Sequence, residues 1–156
     1  MEQFNRVERY LKRIEAIYEG VPLSHSCDKQ SYDDDVMSFF IHCYHVRDWL
    51  IHDDTLRITQ NNVDEYIKDN RALSVCTDLA NGLKHCRLTR NTRTEDQPHV
   101  SGSERLVSKF GDEPSIMSSK YRIMSNNQTL DALTLAKECV QLWRELFAKF
   151  SQLHNK

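Results

Sequence analysis

The sequence is poor in the two residues that punctuate turns, with four Gly and three Pro among 156 residues. Turn-rich sandwiches and barrels need more of both, so this scarcity favours long helices. No apolar run approaches the roughly 20 residues that cross a bilayer. The N-terminal stretch MEQFNRVERY also lacks the apolar centre of a signal peptide. We therefore expect no membrane span and no secretory leader.

Several sequence motifs that identify catalytic, metal-binding or phosphate-binding sites are missing as well. The chain has no CxxC pair, no HExxH, no Gly-rich phosphate loop and no nucleophile elbow. These absences disfavour zinc proteases, common nucleotide hydrolases and dehydrogenases, and we expect neither a metal nor a cofactor. The cysteines are odd in number, and most fall in apolar periodic segments: Cys27, Cys43, Cys76, Cys86 and Cys139. We interpret them as reduced, mostly buried thiols of a cytosolic protein.

Helical periodicity extends over most of the chain. Apolar spacing predicts helices over 3–19, 31–53, 62–70 and 71–88, and a last helix capped by Thr129. The predicted fold is all-α: one domain, 1–156, built as a four- to five-helix bundle. The polar segment 89–128 is a long excursion from it, either structureless or forming a small β-hairpin from RLVSKF and KYRIMS.

The second predicted helix is apolar nearly all round, as a central helix should be. Val36, Phe39, Phe40, Cys43, Val46 and Leu50 share one side. Arg47 falls in the middle of that side, where a guanidinium must find acceptors because it keeps its charge. Two interpretations stay open: an ion pair with an acidic residue of a neighbouring helix, or a site for phosphate or carboxylate.

Polar stripes run along two of the predicted helices. His45, Asp48 and His52 share one face of the second helix, and Asp48 is placed to fix the tautomer of His45. Asn81 and His85 continue a stripe on the fourth helix, where Gly82 suggests a close approach by another segment. The two stripes either face each other as one cluster or face water.

A basic run follows at the end of the fourth helix. Lys84, Arg87 and Arg90 recur every third residue, and Arg93 continues the series. Cations there complement the C-terminal end of the helix dipole. Because the run continues past the predicted helix, it also suits a local arm that contacts RNA or a nucleotide phosphate. The total of 21 basic and 23 acidic residues argues against a general nucleic-acid coat but not against a local site.

The segment RDWLIH, from Arg47 to His52, resembles the Arg-x4-6-His motif of the HEPN superfamily. The resemblance implies an all-α, often dimeric, metal-independent endoribonuclease of toxin–antitoxin or phage-defence systems, or a degenerate relative that binds RNA or a nucleotide. It also implies that His52 is the general acid or base, that Arg47 holds the scissile phosphate, and that the product is a 2′,3′-cyclic phosphate. His45, Asp48, Asn81 and His85 would surround this pair.

Two residues five positions apart lie about 140° from each other around a straight helix. Arg47 and His52 therefore share a phosphate only if the helix ends or bends near Ile51, or if a second subunit completes the site. The chain also resembles uncharacterised bacterial helical proteins with HxxDW and NGxKH segments, a likeness that implies no activity. The rival hypothesis is a non-catalytic helical adaptor that holds its polar stripes in a buried network and binds a partner protein through 89–128.

Overall fold

The computed structural model describes residues 1–22, 29–56, 58–85 and 92–153. Within these ranges the chain forms five helices and one four-stranded sheet. The helices are α1 (Glu2–Glu19), α2 (Lys29–Ile51), α3 (Gln60–Asp69), α4 (Arg71–His85) and α5 (Ala132–Leu153). The strands are β1 (Val21–Pro22), β2 (His99–Ser108), β3 (Ile116–Ser125) and β4 (Gln128–Asp131). None of the described helices is long and apolar enough to span a bilayer.

The all-α prediction is wrong, because the antiparallel sheet makes this an α+β fold. Strand β3 lies at its centre. It pairs with β2 along one side, and on the other side with β1 near its start and β4 near its end. The hairpin expected within 89–128 is therefore larger than expected and belongs to a wider sheet. Asn126 and Asn127 join β3 to β4 with φ values of 49° and 57°, as a tight hairpin turn requires.

The residues on the inward face of β3 explain why the sequence predicted at most a small hairpin and not a four-stranded sheet. Buried and less buried residues alternate along the strand, and its five buried residues are Met117, Ser119, Tyr121, Ile123 and Ser125. Two of these five are serines, so the apolar period that marks a half-buried strand is broken at two positions. β1 and β4 are two and four residues long, too short to leave a periodic signal.

Helix ends follow local chemistry. Gly20 ends α1 with a φ of 112°, and its N–H donates to the Ala16 carbonyl at 2.8 Å. Thr59 caps α3 through a capping box with Asn62. The predicted cap of the last helix is wrong: Thr129 lies in β4, and Asp131 accepts the Thr134 N–H at 2.8 Å.

The prediction that the second helix is central is confirmed. Helix α2 packs against the other four helices, and its apolar side is fully buried. Helices α1 and α5 also contact β3, which joins the sheet to the helical layer. Three of the cysteines, Cys43, Cys76 and Cys139, are free and buried as predicted, whereas Cys27 and Cys86 lie outside the described residues.

Candidate functional site

Arg47 is engaged by two carboxylates. Its Nε and Nη2 donate to the two carboxylate oxygens of Asp64 on α3, each at 2.8 Å, in a bidentate pair. Its Nη1 donates to Asp48 Oδ1 at 2.9 Å. The Arg47 side chain is only 15% exposed and that of Asp64 is 26% exposed. Of the two interpretations, the observed arrangement is the ion pair with a neighbouring helix.

Asp64 is the centre of a small polar network. Besides Arg47 it accepts a hydrogen bond from Arg93 Nη2 at 3.0 Å and one from Gln60 Nε2 at 3.4 Å. The hydrogen bond with Arg47 lowers the pKa of Asp64, and the same bond raises the pKa of Arg47. Both groups therefore stay charged at any physiological pH. Sequence reasoning missed Asp64 as the acceptor, because only the packing of α3 on α2 selects it among the acidic residues.

His52 lies just beyond the end of α2, which stops at Ile51. Its ring Nδ1 is 2.7 Å from the Asp48 carbonyl oxygen, and its side chain is exposed. It borders an open cavity of about 650 Å³ lined by Asp48, Trp49, His52, Asp53, Asp54 and Thr55. Three carboxylates on one cavity wall oppose an anionic ligand and favour a neutral or cationic one.

The residues expected around Arg47 and His52 are only partly brought together: Asp48 contacts both, through its carboxylate to Arg47 and through its carbonyl oxygen to His52 Nδ1. His45 contacts other rings, with its centroid 6.5 Å from that of His42 and 6.2 Å from that of Tyr44. The carboxylate of Asp48 bonds to Arg47 rather than to His45. In the part of the chain that the structure describes, no three His, Cys, Asp or Glu side chains gather as metal ligands except three cysteines. His45, Asp48, His52 and His85 therefore do not form one cluster there.

The polar stripe of α4 faces neither the α2 stripe nor open water along most of its length. Asp78 is buried and accepts hydrogen bonds from the Thr94 N–H at 2.6 Å and the Thr94 hydroxyl at 2.8 Å. A Cβ on Gly82 would lie 2.9 Å from Gln97 Nε2, so the close approach predicted there is real. The segment before β2 thus covers this face of the helix.

The end of the stripe is more open. Asn81 is half-buried, and Lys84 and His85 are exposed in the last turn of α4. Arg87 and Arg90, the other two predicted phosphate contacts, lie outside the described residues. Of the two described members of the predicted basic run, Arg93 is paired with Asp64, and Lys84 is the exposed one that does not contact this carboxylate.

Exposed apolar side chains concentrate at one end of the β2–β3 hairpin. Of the six large hydrophobic residues exposed among the described residues, four lie there: Leu106, Val107, Phe110 and Ile116. Leu106, Val107 and Phe110 are 66%, 56% and 68% exposed. Neighbouring residues of a strand point to opposite faces, so exposure of both Leu106 and Val107 means that neither face of the edge strand β2 is covered at this end. The sequence signal was the LV pair in RLVSKF.

Three of the cysteines meet in the core, which no pattern in the sequence indicated. Cys43, Cys76 and Cys139 come from α2, α4 and α5, and their sulfur atoms lie within 4.8 Å of one another in the core. Each cysteine falls on the apolar stripe of its own helix, which is the only signal that the sequence carries. Their convergence depends on how the three helices pack.

Comparisons of the chain with protein-family models, curated proteins and solved structures found no match.

Proposed function

We propose that this chain is a non-catalytic protein-interaction domain that binds a second copy of itself through the free edge of β2. The observation that carries the proposal is the set of four exposed hydrophobic residues at one end of the β2–β3 hairpin. Exposed apolar residues that cluster are typical of interaction sites, whereas exposed apolar residues that are scattered singly are ordinary on protein surfaces.

The backbone of β2 supports the same surface. This strand is ten residues long and pairs with β3 on one side, and among the described residues no strand pairs with its other side. Its outer edge therefore presents unpaired N–H and C=O groups, which another extended strand can satisfy. Natural sheets usually protect such an edge with charge or bulges. Here the bulge lies between Val100 and Gly102, away from the apolar end.

Charge argues for a protein ligand rather than a nucleic acid. The two charged residues of β2 are already paired: Arg105 with Asp33 at 3.0 Å, and Glu104 with Arg122 at 2.6 Å. A phosphate backbone would find little unpaired positive charge on this strand. An apolar strand does not need such charge in order to bind there.

At the apolar end of β2, the sequence favours one register for a two-fold antiparallel pair. Hydrogen-bonding residues alternate along a strand, so the axis must place one residue opposite itself. An axis at Glu104 or Arg105 opposes like charges, and an axis at Val107 places Arg105 opposite Lys109. An axis at Leu106 avoids every such clash and sets leucine against leucine.

The Leu106 register has a second advantage. It places Phe110 of one copy opposite Gly102 of the other, where an aromatic ring can cover a glycine that offers no side chain of its own. The paired edges then form a continuous eight-stranded sheet, since each copy contributes the four strands described.

The test measures mass and cross-linking. Light scattering coupled to size exclusion should find a dimer that Leu106→Lys converts to a monomer, while the control Trp49→Lys, at an exposed residue away from the hairpin, stays dimeric. In a Cys27→Ser/Cys86→Ser background, Leu106→Cys should cross-link under mild oxidation, because residues opposite each other have Cβ atoms about 5 Å apart. Phe110→Cys, equally exposed but opposite Gly102, should not. A monomeric wild type, or equal cross-linking of both variants, would overturn the proposal.

The ribonuclease implied by the HEPN resemblance is the second candidate, and the end of α2 at Ile51 favours it, because His52 directly follows the last residue of the helix. This activity requires Arg47 to exchange Asp64 for a phosphate. The test is expression in a bacterial host. Growth arrest that His52→Ala relieves, with cleaved RNA bearing 2′,3′-cyclic phosphates, would support it, and equal growth of wild type and variant would exclude it.

A further inference from the structure

Three thiols meet at the centre of the helical layer. Cys43, Cys76 and Cys139 are each at most 1% exposed, and every pair of their sulfur atoms lies within 4.8 Å. No disulfide joins them. The helices that carry them, α2, α4 and α5, pack against one another, so the cluster is held by the core itself.

The hydrogen bonds of two of these thiols point away from the shared space. Cys76 Sγ donates to the Phe40 carbonyl at 3.6 Å, and Cys139 Sγ donates to the Ala72 carbonyl at 3.4 Å. Since each S–H group is directed at a neighbouring helix, sulfur lone pairs are left for the centre of the cluster.

Trp143 adds an independent observation. Its Nε1 is buried and makes no hydrogen bond of ordinary geometry within the described residues. Trp143 lies one helical turn after Cys139 on α5. The core beside the cluster therefore also contains a buried N–H donor that has no hydrogen-bond partner among the described residues.

The surroundings select the ligand by charge. In the described residues no carboxylate or imidazole joins the three sulfurs as a further ligand. A buried ion is costly unless its charge is balanced. Three thiolates around a monovalent or divalent ion leave a net negative charge in the core, whereas three thiolates around a trivalent ion are neutral. Thiolate sulfur also selects soft ions over hard ones.

We propose that Cys43, Cys76 and Cys139 form a binding site for a trivalent thiophilic metalloid, for which arsenic(III) is the probe. The reaction is a ligand exchange: As(OH)₃ and three S–H groups give As(S–Cys)₃ and three waters. Three As–O and three S–H bonds break, three As–S and three O–H bonds form, and no electron is transferred.

The geometry needs only a small contraction. Three sulfurs bonded to one atom at about 2.3 Å lie roughly 3.5–4 Å apart, so the thiols must approach by about 1 Å or less, which side-chain rotation supplies. Because the site is sealed, entry requires local opening of the helices, and uptake by the folded protein should be slow. Once bound, the ion should stabilise the fold, because the unfolded chain holds no preformed site.

The test uses the Cys27→Ser/Cys86→Ser protein, which keeps only the three buried cysteines. After incubation with sodium arsenite, native mass spectrometry should find one arsenic atom in place of three hydrogens. The melting temperature should rise by about 5 °C with arsenite and not with arsenate, which does not exchange with thiols in this way.

Single substitutions locate the site. Cys43→Ala, Cys76→Ala and Cys139→Ala should each abolish the species that has lost three hydrogens. Because the melting and mass measurements are made on the protein with all three thiols, failure of a variant to fold does not block the test. An absence of bound arsenic, an adduct that uses fewer than three thiols, or tighter binding of Zn²⁺ than of arsenite in competition would overturn the proposal.

Discussion

The Arg47–Asp64 pair is the strongest polar contact between α2 and α3, and its removal should be costly. We expect Arg47→Ala to lower the free energy of unfolding by about 2–3 kcal/mol, because the substitution removes the bidentate donor of Asp64 and one hydrogen bond to Asp48 at a mostly buried position. Urea denaturation of the variant and the wild type measures this difference.

Two controls separate the buried pair from ordinary surface charge. Arg93→Ala removes one bond to the same carboxylate from a more exposed side chain and should cost less than about 1 kcal/mol. His52→Ala removes an exposed ring and should change stability by no more than about 0.5 kcal/mol. If Arg47→Ala costs no more than Arg93→Ala, the pair contributes little to the fold and Arg47 is free for another role.

Ser119 offers a prediction of the opposite sign. Its side chain is fully buried, and its hydroxyl has no hydrogen-bond partner among the described residues. Ser119→Ala removes an unsatisfied polar group at the cost of one small atom, so we expect the variant to be more stable by about 1 kcal/mol. The measurement is thermal unfolding followed by circular dichroism.

Its neighbour Ser118 is the matched control. It carries the same side chain in the same strand but points to the other, less buried face. Ser118→Ala should leave stability within about 0.5 kcal/mol of the wild type. Destabilisation by Ser119→Ala would mean that the hydroxyl is satisfied in solution.

At the scale of elements, α1 packs on α2 through a half-buried imidazole. His42 stacks on Tyr10 at 5.1 Å between ring centroids, and Gln3 Nε2 donates to its carbonyl at 2.8 Å. Burial, followed by the charges of Arg6 and His45, lowers the pKa of His42 below its ordinary 6.5. At a pH just below 6.5, the His42 ring is therefore protonated less in the folded protein than in the unfolded chain.

The sign of the pH dependence follows from this difference. The neutral His42 ring stabilises the folded state fully above pH 6.5. This stabilisation is lost as the pH falls from 6.5 through the pKa that His42 has in the folded protein. We expect the melting temperature to fall between about pH 7 and pH 5, and His42→Gln to make that fall shallower. The exposed His99, substituted in the same way, is the control, and an equal effect of both substitutions would contradict the assignment.

The helices were predictable because each carries its own apolar stripe and local stop signals. Gly20 and the apolar side of α2 needed no tertiary information. Strand β3 was not recoverable in the same way, because Ser119 and Ser125 occupy inward positions where a strand pattern needs apolar residues. The two candidate sites are the exposed edge of β2 and the buried cysteine cluster. Both depend on how separate elements pack together, which the periodicity within one element does not specify.

At the scale of the whole molecule, one side chain joins the sheet to the helical layer. The Tyr18 hydroxyl, from the last turns of α1, accepts the Tyr121 N–H at 2.9 Å and the Leu133 N–H at 3.3 Å, and it donates to the Tyr121 carbonyl at 3.2 Å. Helix α1, strand β3 and the start of α5 therefore converge on one oxygen atom.

Removing that oxygen should loosen the junction between the two layers. Tyr18→Phe leaves two N–H groups and one carbonyl without this partner, and we expect a loss of about 2 kcal/mol at neutral pH. Tyr66→Phe is the control, since the Tyr66 hydroxyl makes one bond among the described residues, to the Leu142 carbonyl at 2.9 Å, and its removal should cost about 1 kcal/mol.

Alkaline titration distinguishes this junction from generic packing. Burial raises the pKa of Tyr18 from 10.0 to about 12, so the folded state holds a proton that the unfolded chain releases earlier. The protonated Tyr18 hydroxyl stabilises the folded state fully below pH 10, and this stabilisation is lost as the pH rises towards 12. The stability difference between wild type and Tyr18→Phe should therefore stay constant up to about pH 10 and shrink above it. A difference that stays the same across this range would mean that the Tyr18 hydroxyl titrates alike in the folded and unfolded chain, and that apolar packing alone joins the sheet to the helices.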